Sequence, residues 1–309
     1  MGEELFPILW IAFVFRLPAV LFSRGYEFLD EQFQYVDPAF HLATGTPFLQ
    51  THEWQSGIRS WVYPWLLSWP LRLADWLGLA DPATQMLLVR LVLAVGSLLA
   101  VYGVHQLVVD RKTGRAPLWV LLFATCNGLI VYQSVHPNGL AWSCVLIVFA
   151  MGLLQRSGAT RAGLAGAAIG LAFCCRPQDG LFGVPVFAAL LWQRRWRDAA
   201  AITAAAVTLI VIQGLVDSAT WGSFLHSVVE YIRFNLAHST KWSSQPFYYY
   251  FLLVLAWSPF LWIGIRWLLG GARARPWVAA AAVCSLLAHS MLDRKAARFV
   301  TSALVLGIA

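Results

Sequence analysis

Charged side chains are scarce in this sequence. Only 12% of its 309 residues are Asp, Glu, Lys or Arg, whereas soluble domains contain about 25%. Hydrophobic residues make up 59%, and the mean hydropathy is +0.65. Many separate apolar stretches approach the ~20 residues that cross a bilayer as a helix. This composition excludes a soluble globular protein and predicts an all-α polytopic membrane protein.

Clustered metal ligands and disulfide patterns are also missing. His226, His238 and His289 have no partner at metal-binding spacing, and His136 is interpreted as a loop residue. We therefore predict no metal site and no cofactor, and the sequence leaves a divalent-metal requirement open. The five cysteines lie inside or at the edges of apolar segments, as buried small hydrophobic residues. They are Cys126, Cys144, Cys174, Cys175 and Cys284.

Internal repeats, low-complexity segments and interdomain linkers are not visible, so residues 1–309 are predicted to form one transmembrane domain. Residues 1–4 are acidic and no small-residue cleavage site follows, so the first apolar run is expected to stay in the protein. The last apolar segment, from 299, is too short to cross a membrane, and we expect a truncated C-terminus. The predicted spans are 5–23, 86–109, 117–135, 139–154, 163–175, 180–193, 199–216, 247–269 and 277–292.

Two of these spans, 163–175 and 180–193, are short and flank Arg176 and Pro177. They are interpreted either as one re-entrant pair or as two tilted helices.

The basic residues lie in short clusters between spans, which fits membrane topology better than a nucleic-acid partner, despite the net charge of +7. The clusters near residues 111–115, 156–161, 194–197 and 273–275 alternate onto one side, which the positive-inside rule makes cytoplasmic. The other side receives a first loop at about 24–85, a second large loop at about 217–246, and most of the 15 acidic residues.

The first loop is predicted to contain amphipathic helices. Residues 30–44 place Phe33, Val36 and Phe40 on one helical face, and Gly45 is a stop signal. Residues 61–79 contain four of the 16 Trp residues, which suits a helix lying among lipid headgroups.

The first candidate cluster consists of carboxylates. Asp30 and Asp37 are seven positions apart and therefore near one helical face, with Glu31 beside the first. In a partly dry cavity one of them could act as a general base. The alternative is a solvated helix N-terminus with Asp30 as its cap.

The second cluster combines an aromatic ring with charge. Glu53 and Trp54 could hold a sugar, with the ring on its apolar face, and Arg59 could pair with phosphate. The alternative is that these residues are ordinary membrane-interface residues.

The third cluster is cationic. Arg294, Lys295 and Arg298 follow the last predicted span, and Arg176 ends another. Cations on the non-cytoplasmic side could bind the phosphate of an anionic lipid. The alternatives are loop solvation and, for Arg176, snorkelling to the interface.

In this order the motifs resemble those of the lipid-linked-sugar-dependent α-mannosyltransferases of glycosyltransferase family 22. Asp30, Glu31 and a later acid match its first loop, and Arg176 with Pro177 matches its mid-chain Arg-Pro. Glu53 and Trp54 match Thr-x-Glu-Trp, and residues 59–64 match Arg-Ser-x-x-Tyr-Pro. The late segment departs from the family pattern, because Arg294 replaces a His and Ala296 and Ala297 replace acids.

The resemblance implies a GT-C-type transmembrane helix bundle and inverting transfer of a sugar, with mannose favoured, to a glycan or lipid acceptor. The implied donor is a polyprenyl- or dolichyl-phosphate sugar, and membrane lipids are further partners. It implies Asp30 as general base, with Glu31 as the alternative, and Asp37 and Glu53 as sugar- or acceptor-binding residues. Arg176, Lys295 and Arg298 would neutralise the leaving phosphate.

Two other functions are considered. A transporter or lipid flippase would need polar residues near mid-membrane, where the spans carry Arg16 and Arg90 but no carboxylate. An inactive homologue is suggested by the altered 293–299 segment. The Ala-, Leu-, Val- and Arg-rich spans suggest a bacterial inner membrane with a periplasmic active site; an endoplasmic-reticulum membrane is the alternative.

Overall fold

The computed structural model of the protein describes residues 4–109, 116–237, 245–250, 252 and 276–290, and within these ranges the regular elements are helices. Short helices occur mainly in the predicted first loop. The helices are α1 (Leu5–Phe22), α2 (Leu29–Glu31), α3 (Asp37–Thr44), α4 (His52–Gln55), α5 (Val62–Trp76), α6 (Pro82–Val108), α7 (Leu118–Cys126), α8 (Gly128–Gln133), α9 (Gly139–Leu153), α10 (Ala159–Cys175), α11 (Gly183–Trp192), α12 (Trp196–Trp221), α13 (His226–Ala237) and α14 (Pro276–Ser290).

Three of these helices, α1, α6 and α12, are long and apolar enough to cross a membrane, and α9, α10 and α14 are shorter apolar helices. The predicted spans coincide with them, although α6 and α12 begin earlier and α12 extends to Trp221. The early start of α6 has a local cause: Asp81 caps the helix by accepting the Thr84 N–H at 2.9 Å.

The predicted span at 117–135 consists of two helices. Helix α7 ends at Cys126 and α8 begins at Gly128, because the Asn127 side chain accepts the Ile130 N–H at 3.2 Å and starts a new helix. The predicted span at 247–269 lies mainly outside the described residues.

Arg176 and Pro177 separate two helices. Arg176 is extended, with φ −157° and ψ 101°, as expected for a residue before proline. A 3₁₀ turn, Pro177–Phe182, then leads into α11. Gly166 lets helix α10 pack closely on α12, since it has no side chain. A Cβ at this position would lie only 2.2 Å from the Ile202 carbonyl oxygen.

The two ends of the bundle differ in character. At one end, hereafter the loop end, lie the segment between α1 and α6, the α8–α9 turn and the α10–α11 turn. At the opposite end Arg195 donates to Asp198 at 2.8 Å and to the Arg156 carbonyl at 3.2 Å. The clusters at 156–161 and 194–197 therefore share one end, as predicted. That this end is cytoplasmic stays a prediction.

Arg16 is buried inside the helix bundle. Its Nε donates to Ser97 Oγ at 2.7 Å, and its Nη1 donates to the carbonyls of Ala12 at 2.8 Å and Thr125 at 3.4 Å. Arg16 thus joins α1, α6 and α7, and these bonds account for a mid-span cation without a transported substrate.

The predicted helix at 30–44 forms, but a π-helical turn, Gln32–Val36, interrupts it. In this turn the Asp37 N–H bonds the Gln32 carbonyl, one residue beyond the α-helical partner, and Pro38 has no N–H to donate. Gly45 ends α3 at φ 74°, as predicted. The turn interrupts the α-helical rotation between Asp30, which is exposed, and Asp37, which is half-buried.

Helix α5 is amphipathic, as expected for the Trp-rich stretch. Tyr63, Leu67 and Leu71 are buried on one side. The other side exposes Trp65, Trp69 and Trp76, the last with 81% of its surface accessible. Tryptophan side chains of this kind prefer the headgroup region, so α5 is suited to lie along the bilayer surface.

The first loop docks on the turn between α12 and α13. Trp221 donates its indole N–H to the Arg59 carbonyl at 3.1 Å. Gly57, at φ 66°, lies so close to His226 that a Cβ would be 2.7 Å from its ring. His226 cannot easily retreat, because it is hydrogen-bonded to Ser223 Oγ at 2.9 Å and stacked on Trp221.

We expect Gly57→Ala to destabilise the protein more than Gly45→Ala. Both glycines have positive φ, where a Cβ costs about 1–2 kcal/mol. Only Gly57 would add a steric clash, which typically costs about 1–3 kcal/mol more. Thermal unfolding of the two purified variants in detergent tests this, and equal losses would contradict the described docking.

Candidate active site

Glu31 is buried at the loop end, with 2% of its surface accessible. Its two carboxylate oxygens lie 2.8 and 3.1 Å from His136 Nδ1, and Oε2 also accepts the Glu27 N–H at 3.0 Å. His136 is itself fully buried. His136 lies in the α8–α9 turn, as interpreted from the sequence, and it joins the first loop to that turn.

Asp30, the neighbour of Glu31 in α2, is exposed. It lies near the buried phenol of Tyr35, whose pKa is raised chiefly by burial. The Arg59 charge lowers this pKa, and the charges of Glu53 and Asp30 raise it. The charges of three predicted site residues therefore act on one tyrosine.

Asp37 is half-buried and accepts a short hydrogen bond from Gln32 Nε2 across the π-helical turn. Burial raises the pKa of Asp37, and the bond from Gln32 partly opposes this increase. The π-helical turn therefore places a carboxylate with a raised pKa at the start of α3.

Glu53 and Arg59 form an ion pair, with both Nε and Nη2 of Arg59 2.9 Å from Glu53 Oε2. Burial alone would lower the pKa of Arg59, but the adjacent Glu53 carboxylate raises it overall. The pair is partly exposed, so it remains accessible to a ligand.

Trp54 is enclosed in the first loop, with 2% of its surface accessible. Its indole N–H donates to the Phe33 carbonyl at 3.1 Å, and its ring centroid lies 4.5 Å from that of Trp61 and 6.2 Å from that of Trp221. These contacts support a packing role, because the ring would have to move before a sugar could stack on it. Direct contact between Trp54 and a sugar stays a prediction.

A chain of polar contacts connects Arg59 to Arg176. The Arg59 guanidinium lies 6.0 Å from the centre of the Tyr231 ring. The Tyr231 hydroxyl accepts from the Gln178 amide nitrogen at 2.9 Å, and the Gln178 oxygen accepts from Arg176 Nη2 at 2.8 Å; this amide orientation is assigned from the hydrogen-bond network. Helix α13 thus joins the first loop to the Arg176 turn, although the two are far apart in sequence.

Arg176 lies in a mostly buried polar group. Asp179 Oδ2 is 3.6 Å from Arg176 Nη1 and accepts a short hydrogen bond from Ser143. His289, near the end of α14, is buried, and its Nδ1 lies 2.8 Å from the Ser285 carbonyl oxygen. Lys295 and Arg298 lie outside the described residues. Helix α14 is described as far as Ser290, one residue beyond His289.

Several residues of this site have no role predicted from the sequence. Tyr231, Gln178 and Asp179 link predicted residues, and Asp217 is buried and accepts the Ser227 N–H at 3.0 Å at the start of α13. The role of Asp179 could have been predicted, because it lies three positions after Arg176 in the sequence. Nothing in the sequence indicates the role of Tyr231. Within the described ranges, no group of three or more His, Cys, Asp or Glu side chains is arranged to hold a metal ion.

The fold places the protein in the class of multi-pass membrane proteins with the GT-C fold of membrane glycosyltransferases. The structure is similar to that of ArnT from Cupriavidus metallidurans bound to undecaprenyl phosphate, with a TM-score of 0.65 and 18% sequence identity. The similarity covers 100% of this chain and 59% of that one.

The chain belongs to the Alg9-like mannosyltransferase family, whose family model matches residues 7–308. It is 27% identical to GPI mannosyltransferase 3 of Drosophila melanogaster over 244 residues. That match covers 76% of this chain and 42% of the relative, so less than half of that protein is matched.

We expect Asp37→Asn to stabilise the protein at neutral pH. A carboxyl group with a raised folded-state pKa contributes stability at low pH, and this contribution is lost as the pH rises through that pKa. Removing the charge should therefore raise the unfolding temperature at pH 7 by roughly 1–3 °C. The difference should vanish below the ordinary aspartate pKa of about 3.9. Thermal unfolding between pH 3.5 and 7.5 measures it, and a variant that is less stable throughout this range would contradict the inferred shift.

Proposed function

We propose that the protein is an inverting glycosyltransferase that transfers a sugar from a polyprenyl-phosphate donor to a hydroxyl of a glycan or lipid. The observation that carries this proposal is the convergence of the acidic first loop and Arg176 at the loop end, through Arg59, Tyr231 and Gln178. Carboxylates for proton removal and cations for a leaving phosphate then lie in one region. Membership of the Alg9-like mannosyltransferase family favours mannose as the sugar.

In the proposed reaction, Asp30 removes the proton of the acceptor hydroxyl as its oxygen attacks the anomeric carbon. The new glycosidic bond forms while the bond from that carbon to the phosphate oxygen breaks, and the lipid phosphate leaves with the electron pair. A single displacement inverts the anomeric configuration. Asp30 suits this role better than Glu31, because Asp30 is exposed and Glu31 is buried against His136.

The other predicted residues act on binding in this proposal. Arg176 compensates the charge that develops on the leaving phosphate, and Lys295 and Arg298 are proposed to assist. Glu53, held by Arg59, and Asp37, held by Gln32, bind sugar or acceptor hydroxyls.

The comparisons support the class of donor. ArnT was solved bound to undecaprenyl phosphate, a lipid phosphate of the kind that a polyprenyl-linked donor would release. We further propose that the loop end faces the periplasm of a bacterial cell, or the lumen of the endoplasmic reticulum if the protein is eukaryotic. This orientation follows from the basic residues at the opposite end.

Asp30→Ala is expected to lower the transfer rate by about 10²–10⁴-fold, because a positioned general base typically contributes that factor. The assay incubates membranes with radiolabelled polyprenyl-phosphate mannose and crude lipid acceptors. Asp75→Ala, which removes an exposed carboxylate on α5, is the matched control and should retain activity. Unchanged transfer by the Asp30 variant would refute its assignment as the base.

Arg176→Ala is expected to lower kcat/KM for the donor by about 10²–10³-fold, the effect of removing one group that stabilises developing negative charge. Arg233→Ala is the control, because Arg233 is 71% exposed and pairs only with Glu230 among the described ion pairs. Both variants must elute as a single species in gel filtration. If both reduce transfer equally little, Arg176 does not bind the phosphate.

A further inference from the structure

The Glu31 carboxylate is fully engaged by protein groups from two segments. His136, 105 positions further along the chain, lies within hydrogen-bond distance of both oxygens. The Glu27 backbone N–H binds Oε2 as well. With three such contacts and almost no exposed surface, Glu31 is not available to an acceptor hydroxyl while they hold.

The contact also orients the His136 ring. Its Nδ1 faces the two Glu31 carboxylate oxygens, which are hydrogen-bond acceptors. The opposite ring nitrogen, Nε2, is buried and has no hydrogen-bond partner in the part of the chain that the structure describes. His136 is therefore oriented by a single polar partner, Glu31.

Neighbouring contacts hold His136 in place. The Tyr132 ring packs against the imidazole, with centroids 4.3 Å apart. Gln133 Nε2 donates to Glu27 Oε1 at 3.1 Å, which gives a second bond between the same two segments. The end of α8 and the turn after it thus hold α2 on both sides, at Glu27 before the helix and at Glu31, its last residue.

We propose that His136 and Glu31 are positioning residues that set the direction of Asp30, and that Glu31 is not an alternative base. Successive residues of a helix point about 100° apart, so holding Glu31 inward turns Asp30 outward. The observed burial agrees, since Glu31 is buried and Asp30 is exposed. This inference rests on the proposed function, in which Asp30 is the base.

The test compares transfer by purified His136→Ala, His136→Asn, Glu31→Gln and Asp30→Ala, with donor KM and kcat measured separately. Asn can place an amide N–H where Nδ1 donates, and Gln keeps an acceptor for that N–H. His41→Ala is the control, because His41 lies in the same loop and its side chain hydrogen-bonds only the Thr46 carbonyl among the described residues.

His136→Ala should lower kcat by about 10²-fold, the typical cost of a displaced catalytic group, with donor KM changed less than about 2-fold. His136→Asn should recover at least about 10-fold of this loss. Glu31→Gln should stay at least about 10-fold more active than Asp30→Ala. The double variant of Asp30→Ala with His136→Ala should be no slower than Asp30→Ala alone, since both changes act through Asp30.

Three results would overturn the proposal. If Glu31→Gln is as inactive as Asp30→Ala, and His136→Asn does not recover the activity lost in His136→Ala, Glu31 is the base. If the fold-losses in transfer rate of the two single variants multiply in the double variant, His136 acts independently of Asp30. A His136→Ala variant that raises KM alone would place His136 in donor binding.

Stability measurements separate this proposal from the proposed function. A thermal-unfolding cycle with Glu31→Gln and His136→Asn should show non-additive changes, whether or not transfer is detected. Coupling in stability together with full activity of Asp30→Ala would refute Asp30 as the base, and the positioning role would fail with it. If the stability changes are additive and transfer still depends on Asp30, the positioning role is refuted, and the assignment of Asp30 as the base stands.

Discussion

The hydrocarbon core of a membrane excludes backbone that is not hydrogen-bonded within its own element, and the architecture of this protein follows from that constraint. Helices such as α6 and α12 satisfy their backbone internally, so polar side chains gather where helices end. At the loop end, the termini of α8, α10 and α12 bring His136, Arg176 and Trp221 toward the segment between α1 and α6. The candidate active site is thus built from helix ends and not from the middle of the bundle.

Directed hydrogen bonds, together with the apolar packing of Tyr63, Leu67 and Leu71 in the main core, determine how the first loop lies on these helix ends. Trp54 and Trp221 each donate an indole N–H to a loop carbonyl, and their rings pack against each other. Buried aromatic side chains with a satisfied polar group give both area and direction. The consequence is that the Glu53–Arg59 pair is carried on a loop whose orientation is fixed from two sides.

The sequence predicted what depends on local patterns. Apolar length located the helices, Gly45 marked the end of α3, and Pro177 predicted the break after α10. The family and fold were also predicted, because their motifs occur in order along the chain.

Contacts between residues far apart in the sequence could not be predicted. Nothing beside His136 indicates that Glu31 lies against it, and nothing in α13 indicates that Tyr231 bridges to Arg176. The π-helical turn was missed because its hydrophobic pattern resembles that of an ordinary helix. Asn127 was missed because a single polar residue inside an apolar run rarely ends a helix.

The most direct test of the account is an electron cryomicroscopy structure of the protein in lipid nanodiscs with a non-transferable polyprenyl-phosphonate sugar. The account predicts the anomeric carbon within reach of an acceptor oxygen bound to Asp30, and the phosphonate in contact with Arg176. A ligand bound at the opposite end of the bundle, beside Arg156 and Arg195, would contradict it. So would a headgroup too far from Asp30 for one acceptor hydroxyl to bridge the distance.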